Sequence, residues 1–145
     1  MKGNAIERVS SLAKNRENKA AKKLADTLSR NKQANEKCDQ IKGYRAEYEN
    51  HLDGLIAAGV DARTLSEYRQ FLGNLDDAIE QQTSVVKVTE EHVGDSRLDW
   101  LSRYHRKSAL EQLLEIQQKD RLASLEKDQQ KEQDEISGTA KNRFE

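Results

Sequence analysis

The sequence predicts an all-α protein that folds as a long antiparallel two-helix coiled-coil hairpin. Its 145 residues include no proline and only seven glycines, so little in the chain interrupts a helical backbone. Hydrophobic residues make up 34% of the chain and charged residues 35%, which is too polar a balance for the interior of a compact globule. The apolar residues recur in alternating steps of three and four, the spacing of a coiled-coil seam.

Intrinsic disorder is the competing class for so polar a chain, but disordered chains are typically rich in Pro, Gly and Ser. Strong helix formers occupy most positions here instead, chiefly Ala, Leu, Glu, Lys, Gln and Arg. The composition therefore favours an elongated helical assembly whose buried surface is a narrow seam.

The first helix is predicted from about residue 3 to residue 57. An irregular step upstream connects its seam to Ile6, Val9, Ala13 and Ala20. The spacing implies a left-handed supercoil, and the ~1.5 Å rise per residue makes a rod on the order of 80 Å long. The main run of seam positions is Leu24, Thr27, Asn31, Ala34, Cys38, Ile41, Arg45, Tyr48, Leu52 and Leu55.

A short turn is predicted over residues 58–63. Gly59 can adopt the left-handed conformation that ends a helix. Asp61 can cap the next helix, and Thr64 with Glu67 fits a capping box one turn later. The sequence leaves both caps open, but either one gives a short connection, and short connections make neighbouring helices antiparallel.

The second helix is predicted from about residue 64 to residue 136. Beyond Trp100 the apolar residues Leu110, Leu114, Leu122 and Leu125 indicate that the seam continues after a stutter. Gly138 is expected to end the helix, so the hairpin covers residues 1–137 and a flexible tail covers residues 138–145. The regular part of the seam is Leu65, Tyr68, Leu72, Leu75, Ile79, Gln82, Val86, Thr89, Val93, Ser96 and Trp100.

Charge is unevenly spread along the chain. Residues 1–37 hold ten Lys or Arg and four Asp or Glu, whereas residues 108–135 hold four and eight. The opposite signs favour antiparallel pairing of the two arms. A nucleic-acid partner is not expected, because the acidic arm neutralises the basic one and no aromatic residues alternate with the basic ones.

No enzymatic site is expected, because a two-stranded coil has no cleft that excludes water. The three histidines stand apart, without metal-ligand spacing, and no glycine-rich loop cradles a phosphate, so neither a metal nor a cofactor is predicted. Cys38 is interpreted as a small buried hydrophobe. No apolar stretch has the length of a membrane span, so the protein is expected in the cytoplasm, reaching the membrane only through partners.

An apolar stripe beside the seam is the one surface feature that predicts binding. Neighbouring helix positions point about 100° apart, so Phe71 and Leu72 cannot share the seam. Phe71 continues with Leu75, Ala78 and Gln82, and Ile41, Tyr44 and Tyr48 lie at the matching level of the first helix. An aromatic patch on a charged surface is typical of a docking site, and a wider twisted core is the alternative interpretation.

The same residues carry a resemblance to a known family. The run from Tyr44 to Tyr48, Gly59 at the turn, the run from Tyr68 to Phe71 and the acidic end with Asp134-Glu135 resemble the flagellar FliJ family of type III export proteins. The resemblance implies a non-enzymatic cytoplasmic component of the export apparatus at the flagellar base. It also implies a stalk-like coiled coil whose joined ends bind and stimulate the hexameric export ATPase.

Further implied partners are the cytoplasmic domain of the export gate and the export chaperones. The resemblance places gate binding on positions that match Ile41, Tyr44, Tyr48, Phe71, Leu75 and Ala78, with Gln82 standing where the family pattern has a histidine. Two alternatives stay open: the equivalent stalk protein of a virulence-type secretion system, and a generic coiled-coil chaperone or scaffold.

Overall fold

The computed structural model describes residues 2–144, with the side chains of residues 5–140. Helix α1 spans Lys2–Ala58 and helix α2 spans Ala62–Phe144. The two helices pack against each other, the structure is 98% helical, and the described residues include no strand. The predicted all-α helical hairpin is therefore confirmed. Neither helix, over its described residues, has an apolar stretch long enough to cross a bilayer.

The connection between the helices is three residues long, shorter than the predicted turn over 58–63. Gly59 has the left-handed φ of 92°, and its N–H donates to the Ile56 carbonyl at 3.2 Å. Leu65 donates its backbone N–H to the Asp61 carbonyl at 3.1 Å, so the first helical bond of α2 begins at Asp61. Of the two predicted caps, Asp61 therefore occupies the capping position, and Thr64 lies inside the helix.

The chain divides into two compact units, and the larger one comprises Lys19–Trp100 with the turn. Every predicted seam position from Leu24 to Leu55 and from Leu65 to Trp100 is buried or half-buried, except Tyr48. Tyr48 is 40% exposed. The core of this unit is a thin line of small and medium side chains, because two helices bury only the stripe where they touch.

The antiparallel register of this unit can be read from side chains that meet across the seam. Asn31 donates to Thr89 at 3.0 Å, Arg45 pairs with Asp76, and Tyr48 contacts Phe71. The residue numbers in each pair add to between 119 and 121. The register is therefore constant along the unit.

Polar seam residues are satisfied by hydrogen bonds. The Gln82 side-chain amide donates to the Ala34 carbonyl at 3.0 Å, and Thr27 donates to the Leu24 carbonyl at 2.9 Å. Cys38 is buried, as predicted, with its sulfur 3.8 Å from the Thr83 hydroxyl. No buried side-chain polar atom in the described part of the chain lacks a partner. The contacts that cross the interface, from Gln82 to Ala34 and between Cys38 and Thr83, favour one register over its neighbours.

The smaller unit comprises residues 1–18 and 101–145. Two predictions about its seam were wrong: that Val9 belongs to it and that it contains an irregular step. Val9 is 41% exposed, whereas Ser10 is only 8% exposed. The alternation of three and four runs without an irregular step through Ile6, Ser10, Ala13 and Glu17, all buried or half-buried. A small side chain such as Ser10 fits between closely packed helices, so spacing rather than polarity decides which residue turns inward.

The predicted stutter after Trp100 is also absent. The half-buried positions of α2 continue in steps of three and four as Arg103, Lys107, Leu110, Leu114 and Gln117. Leu122 and Leu125 are 61% and 52% exposed. Long polar side chains occupy several seam positions here because their aliphatic stems can pack while the charged ends reach water.

The C-terminal part of α2 is helical and exposed. All residues from 121 to 140 are exposed, and α2 reaches Phe144 instead of ending near residue 136. Gly138 does not end the helix, because a glycine inside a helix costs only about 1 kcal/mol. The Thr139 hydroxyl also donates a hydrogen bond to the Glu135 carbonyl at 2.8 Å. The division into a hairpin over 1–137 and a flexible tail over 138–145 stays a prediction.

Candidate protein-binding site

Aromatic side chains from both helices cluster in the larger unit, and we call this cluster the aromatic patch: Tyr44, Tyr48, His51, Tyr68 and Phe71. Tyr44 is 48% exposed, and Tyr48 and Phe71 are each 40% exposed. Tyr44 directly precedes the seam residue Arg45, and Phe71 directly precedes Leu72. Each therefore lies on the flank of its helix, because the following residue occupies the interface.

Ring contacts hold the patch together across the two helices. Tyr48 and Phe71 meet edge to face, with centroids 4.7 Å apart and planes at 68°. His51 and Tyr68 lie 5.9 Å apart between centroids. Such geometry is favourable for aromatic pairs. The four rings therefore form a fixed surface, whereas Tyr44 is restrained at its hydroxyl by a 3.3 Å bond from the Gln40 amide.

Two shallow grooves adjoin Tyr48. One, of about 240 Å³, is lined by Tyr48, Glu67, Tyr68 and Phe71. The other, of about 340 Å³, is lined by Tyr44, Glu47, Tyr48 and His51. Both are open to solvent and combine aromatic walls with a carboxylate. This combination suits side chains of another protein, because aromatic rings supply apolar area while hydroxyls and carboxylates supply hydrogen bonds.

An ion cluster next to the patch fixes the relative position of the helices. Arg45 donates to Asp76 across the seam and to Glu49 at 2.8 Å on its own helix. The hydrogen bond and charge of Asp76, with a smaller effect from Glu49, raise the pKa of Arg45 above its ordinary value. The guanidinium fork engages both carboxylates, so Arg45 acts as a positioning group beside Tyr44.

The predicted site residues divide into surface and interface. Tyr44, Tyr48 and Phe71 are exposed together, whereas Ile41, Leu75 and Ala78 are half-buried. Gln82 is only 8% exposed, and its amide bonds to the Ala34 carbonyl. Gln82 therefore faces the neighbouring helix and not the surface.

His51 and Tyr68 belong to the patch but were not among the predicted site residues. A usable signal was present, because His51 precedes the seam residue Leu52 just as Tyr44 precedes Arg45. Tyr68 stands in the seam, and a ring at a seam position extends past a two-helix interface to the surface. Only the pairing of the two helices brings His51 and Tyr68 together.

Catalytic or metal chemistry finds no support at the patch. Among the described residues, no three His, Cys, Asp or Glu side chains are grouped so that they could hold a metal ion. The grooves are open on the surface of a two-stranded coil and offer aromatic faces, an imidazole and single carboxylates. Aromatic faces of this kind are enriched at protein interfaces.

Comparisons with known proteins cover nearly the whole chain. A family model described as Flagellar FliJ protein matches residues 1–143. The chain is also similar to the Flagellar FliJ protein of Escherichia coli strain K12, with 27% identity over 136 residues. That alignment covers 94% of this chain and 92% of the relative. No solved structure matches the chain.

Proposed function

The chain belongs to the flagellar FliJ family, and we propose that this flagellar export component binds the export gate through its aromatic patch and the export ATPase through its paired ends. The observation that carries the proposal is the exposed aromatic patch in a chain that the family model matches from residue 1 to residue 143. The protein itself acts by contact and catalyses no reaction.

Gate binding is assigned to Tyr44, Tyr48 and Phe71 as the contacting side chains. Their exposed rings are the anchors that protein interfaces favour, and rings held by their neighbours lose little conformational entropy on binding. Ile41, Leu75 and Ala78 support these rings from half-buried positions. Gln82 is left out of the contact surface, because its amide is engaged with Ala34.

ATPase binding is assigned to the far ends of the two helices, around residues 1–25 and 108–135. Charges of opposite sign predominate in these two segments, with seven basic residues in 1–25 and eight acidic residues in 108–135. A slender helical pair with charged faces can enter the central opening of a hexameric ring and make many weak contacts there. Binding at both sites at once would couple the ATPase to the gate.

Export chaperones are the third proposed class of partner, and the cytoplasm beside the inner membrane is the proposed location. Membrane association would then come through the gate. In this scheme nucleic acid has no part, because neither groove of the aromatic patch is lined by Lys or Arg.

The first test is ATP hydrolysis by the purified flagellar export ATPase, with and without this protein. The expected result is a higher rate when the protein is present. An unchanged rate, together with capture of diverse unfolded proteins in pull-downs, would instead identify a generic helical chaperone.

The second test separates the two proposed sites. The double variant Tyr44→Ala, Phe71→Ala should bind the isolated cytoplasmic domain of the gate at least tenfold more weakly, since each exposed ring removed costs on the order of 1 kcal/mol or more. ATPase stimulation should be retained. Val88→Ala is the matched control, because Val88 is exposed at 47% on α2 but lies outside the patch. Equal loss of helicity, stimulation and gate binding would show that the rings are structural.

A further inference from the structure

A second exposed apolar cluster lies in the smaller unit, and no ring or ion cluster accounts for it. We call it the terminal apolar patch: Val9, Leu12, Leu113 and Ile116. These side chains are 41%, 49%, 44% and 56% exposed. Exposed apolar residues that stand alone are ordinary, but four grouped on one face of a highly charged protein indicate a binding surface.

The four residues share a face because each directly precedes a seam position. Val9 and Leu12 precede Ser10 and Ala13 on α1, and Leu113 and Ile116 precede Leu114 and Gln117 on α2. In an antiparallel pair, these preceding positions of both helices flank the same side of the interface.

The same relationship is visible in the larger unit. A groove of about 300 Å³ there is lined by the seam residues Thr27 and Ser96 and by five residues beside the seam: Lys23, Asp26 and Arg30 of α1 and His92 and Asp95 of α2. All five directly precede seam positions, so the rule that places the terminal apolar patch on one face holds where contacts can be checked.

Two charges of opposite sign, Arg106 and Asp120, lie at equal distances on either side of Leu113 along α2. Arg106 stands seven residues before Leu113, and Asp120 stands seven residues after it. Seven residues are close to two helical turns, so Arg106, Leu113 and Asp120 lie on one line along α2. Arg106 and Asp120 are exposed, and neither takes part in an ion pair among the described residues.

This arrangement is complementary to itself. When a second α2 lies antiparallel with its Leu113 against the first Leu113, each Arg106 meets the Asp120 of the other copy. Parallel alignment would instead place Arg106 against Arg106 and Asp120 against Asp120, which is repulsive. The charges therefore select an antiparallel second copy as the occupant of the patch.

We propose that the terminal apolar patch is a self-association surface, where two copies of this chain pack antiparallel about a two-fold axis near Leu113. Such an interface is isologous, so each ion pair occurs twice. Arg106 and Asp120 are separated by about 21 Å along the helix at 1.5 Å per residue. The contact is short compared with stable dimer interfaces, so the dimer is expected to be weak and to form at high protein concentration.

The experiment is sedimentation velocity of the full-length protein at low ionic strength over a wide concentration range. Wild-type protein should show a reversible shift from monomer towards dimer. Arg106→Glu alone, or Asp120→Arg alone, should weaken association about tenfold, since each puts like charges together at two places. The double variant Arg106→Glu, Asp120→Arg should recover wild-type association, because the swapped charges again meet their opposites.

Two controls keep the result specific. Arg69→Glu makes the same change in net charge as Arg106→Glu at an exposed position of the larger unit, and its association should equal that of the wild type. Leu113→Asp should abolish dimerisation, and far-UV circular dichroism should show that its helix content is kept.

The proposal is overturned by a wild-type protein that stays monomeric at every concentration, or by a double variant that associates as weakly as the single ones. Loss of ATPase stimulation in Leu113→Asp, with the wild type monomeric throughout, would assign the patch to the ATPase instead. Sedimentation of the protein alone does not depend on gate or ATPase binding, so failure of the self-association proposal is distinguishable from failure of the proposed function.

Discussion

Phe71 on α2 packs edge to face against Tyr48 on α1, with the ring centroids 4.7 Å apart. Phe71 is nevertheless 40% exposed, so one face of the ring joins the helices while the other is available to a partner. Tyr44 makes only a 3.3 Å bond to Gln40 on its own helix. Stability and the proposed gate binding are therefore expected to be linked at Phe71 and separable at Tyr44.

Tyr44→Ala should weaken gate binding without destabilising the fold, whereas Phe71→Ala should do both. We expect the free energy of unfolding to fall by less than about 0.5 kcal/mol for Tyr44→Ala and by about 1–2 kcal/mol for Phe71→Ala. Urea denaturation measures the free energy of unfolding, and titration calorimetry with the gate domain measures the affinity for the gate. A double-mutant cycle of Tyr48 and Phe71 should give a coupling of about 0.5–1.5 kcal/mol.

Gln82→Ala should destabilise the protein and leave gate binding unchanged. The substitution removes the 3.0 Å hydrogen bond to Ala34 and leaves a gap in the seam, so we expect a loss of about 1–2 kcal/mol in the free energy of unfolding. Gln81→Ala is the control, because Gln81 is the exposed neighbour and should change stability by less than about 0.5 kcal/mol. Weaker gate binding by folded Gln82→Ala would return Gln82 to the site.

Gly59→Ala should lower stability by about 1–2 kcal/mol, because an alanine is strained at a φ of 92°. Apart from the adjoining residues and, at Gly94, the nearby backbone of α2, no atom lies within 4 Å of an added Cβ at Gly59 or at Gly94, so clash with packed neighbours does not contribute at either. Gly94→Ala lies inside α2 and should stabilise the protein by up to about 1 kcal/mol. The melting temperature should therefore fall for Gly59→Ala and rise for Gly94→Ala. A shift in the same direction for both variants would contradict the conformational explanation.

Removing Arg45 and Asp76 in a double-mutant cycle should reveal a favourable coupling that weakens as salt is added, because Arg45 is only half-buried and Asp76 is exposed. Since the pKa of Arg45 is raised in the folded protein, its contribution is complete below the ordinary Arg pKa and is lost only as pH rises through the higher folded value. Stability measured from pH 7 to pH 10 should therefore show no loss from Arg45. A coupling independent of salt would indicate packing in place of charge.

The composition of the chain and the spacing of its apolar residues predicted most of the fold. The absence of proline, the alternation of three and four and the position of Gly59 predicted the helices and the turn. All seam residues predicted in the larger unit are buried or half-buried except Tyr48, which is exposed. The smaller unit was harder because apolar character was a poor guide there. Val9 is apolar yet exposed, and Ser10 is polar yet buried, since the helical period leaves only one of two neighbours in the interface.

The aromatic patch was predicted from its most visible residues and missed where two helices had to be combined. Phe71 stands out because its neighbour Leu72 fits the seam, and Tyr44 stands out beside Arg45. Gln82 was included in the site because it continues the stripe of Phe71, Leu75 and Ala78, whereas its hydrogen bond to the Ala34 carbonyl holds it in the helix interface. The contact of His51 with Tyr68 depends on the antiparallel register, which no single-helix pattern contains.

The polar seam of the smaller unit has a consequence for how the ends of the protein move. Several seam positions of this unit hold polar residues where a stable coiled coil would have Leu or Ile: Ser10, Glu17, Arg103 and Lys107. Little apolar contact therefore opposes separation of the two helices there. Fraying should begin at this unit, and its amide protons should exchange with deuterium well before those around Leu52 and Val93. Ends that open and close this easily can adapt to an asymmetric binding surface without melting the whole molecule.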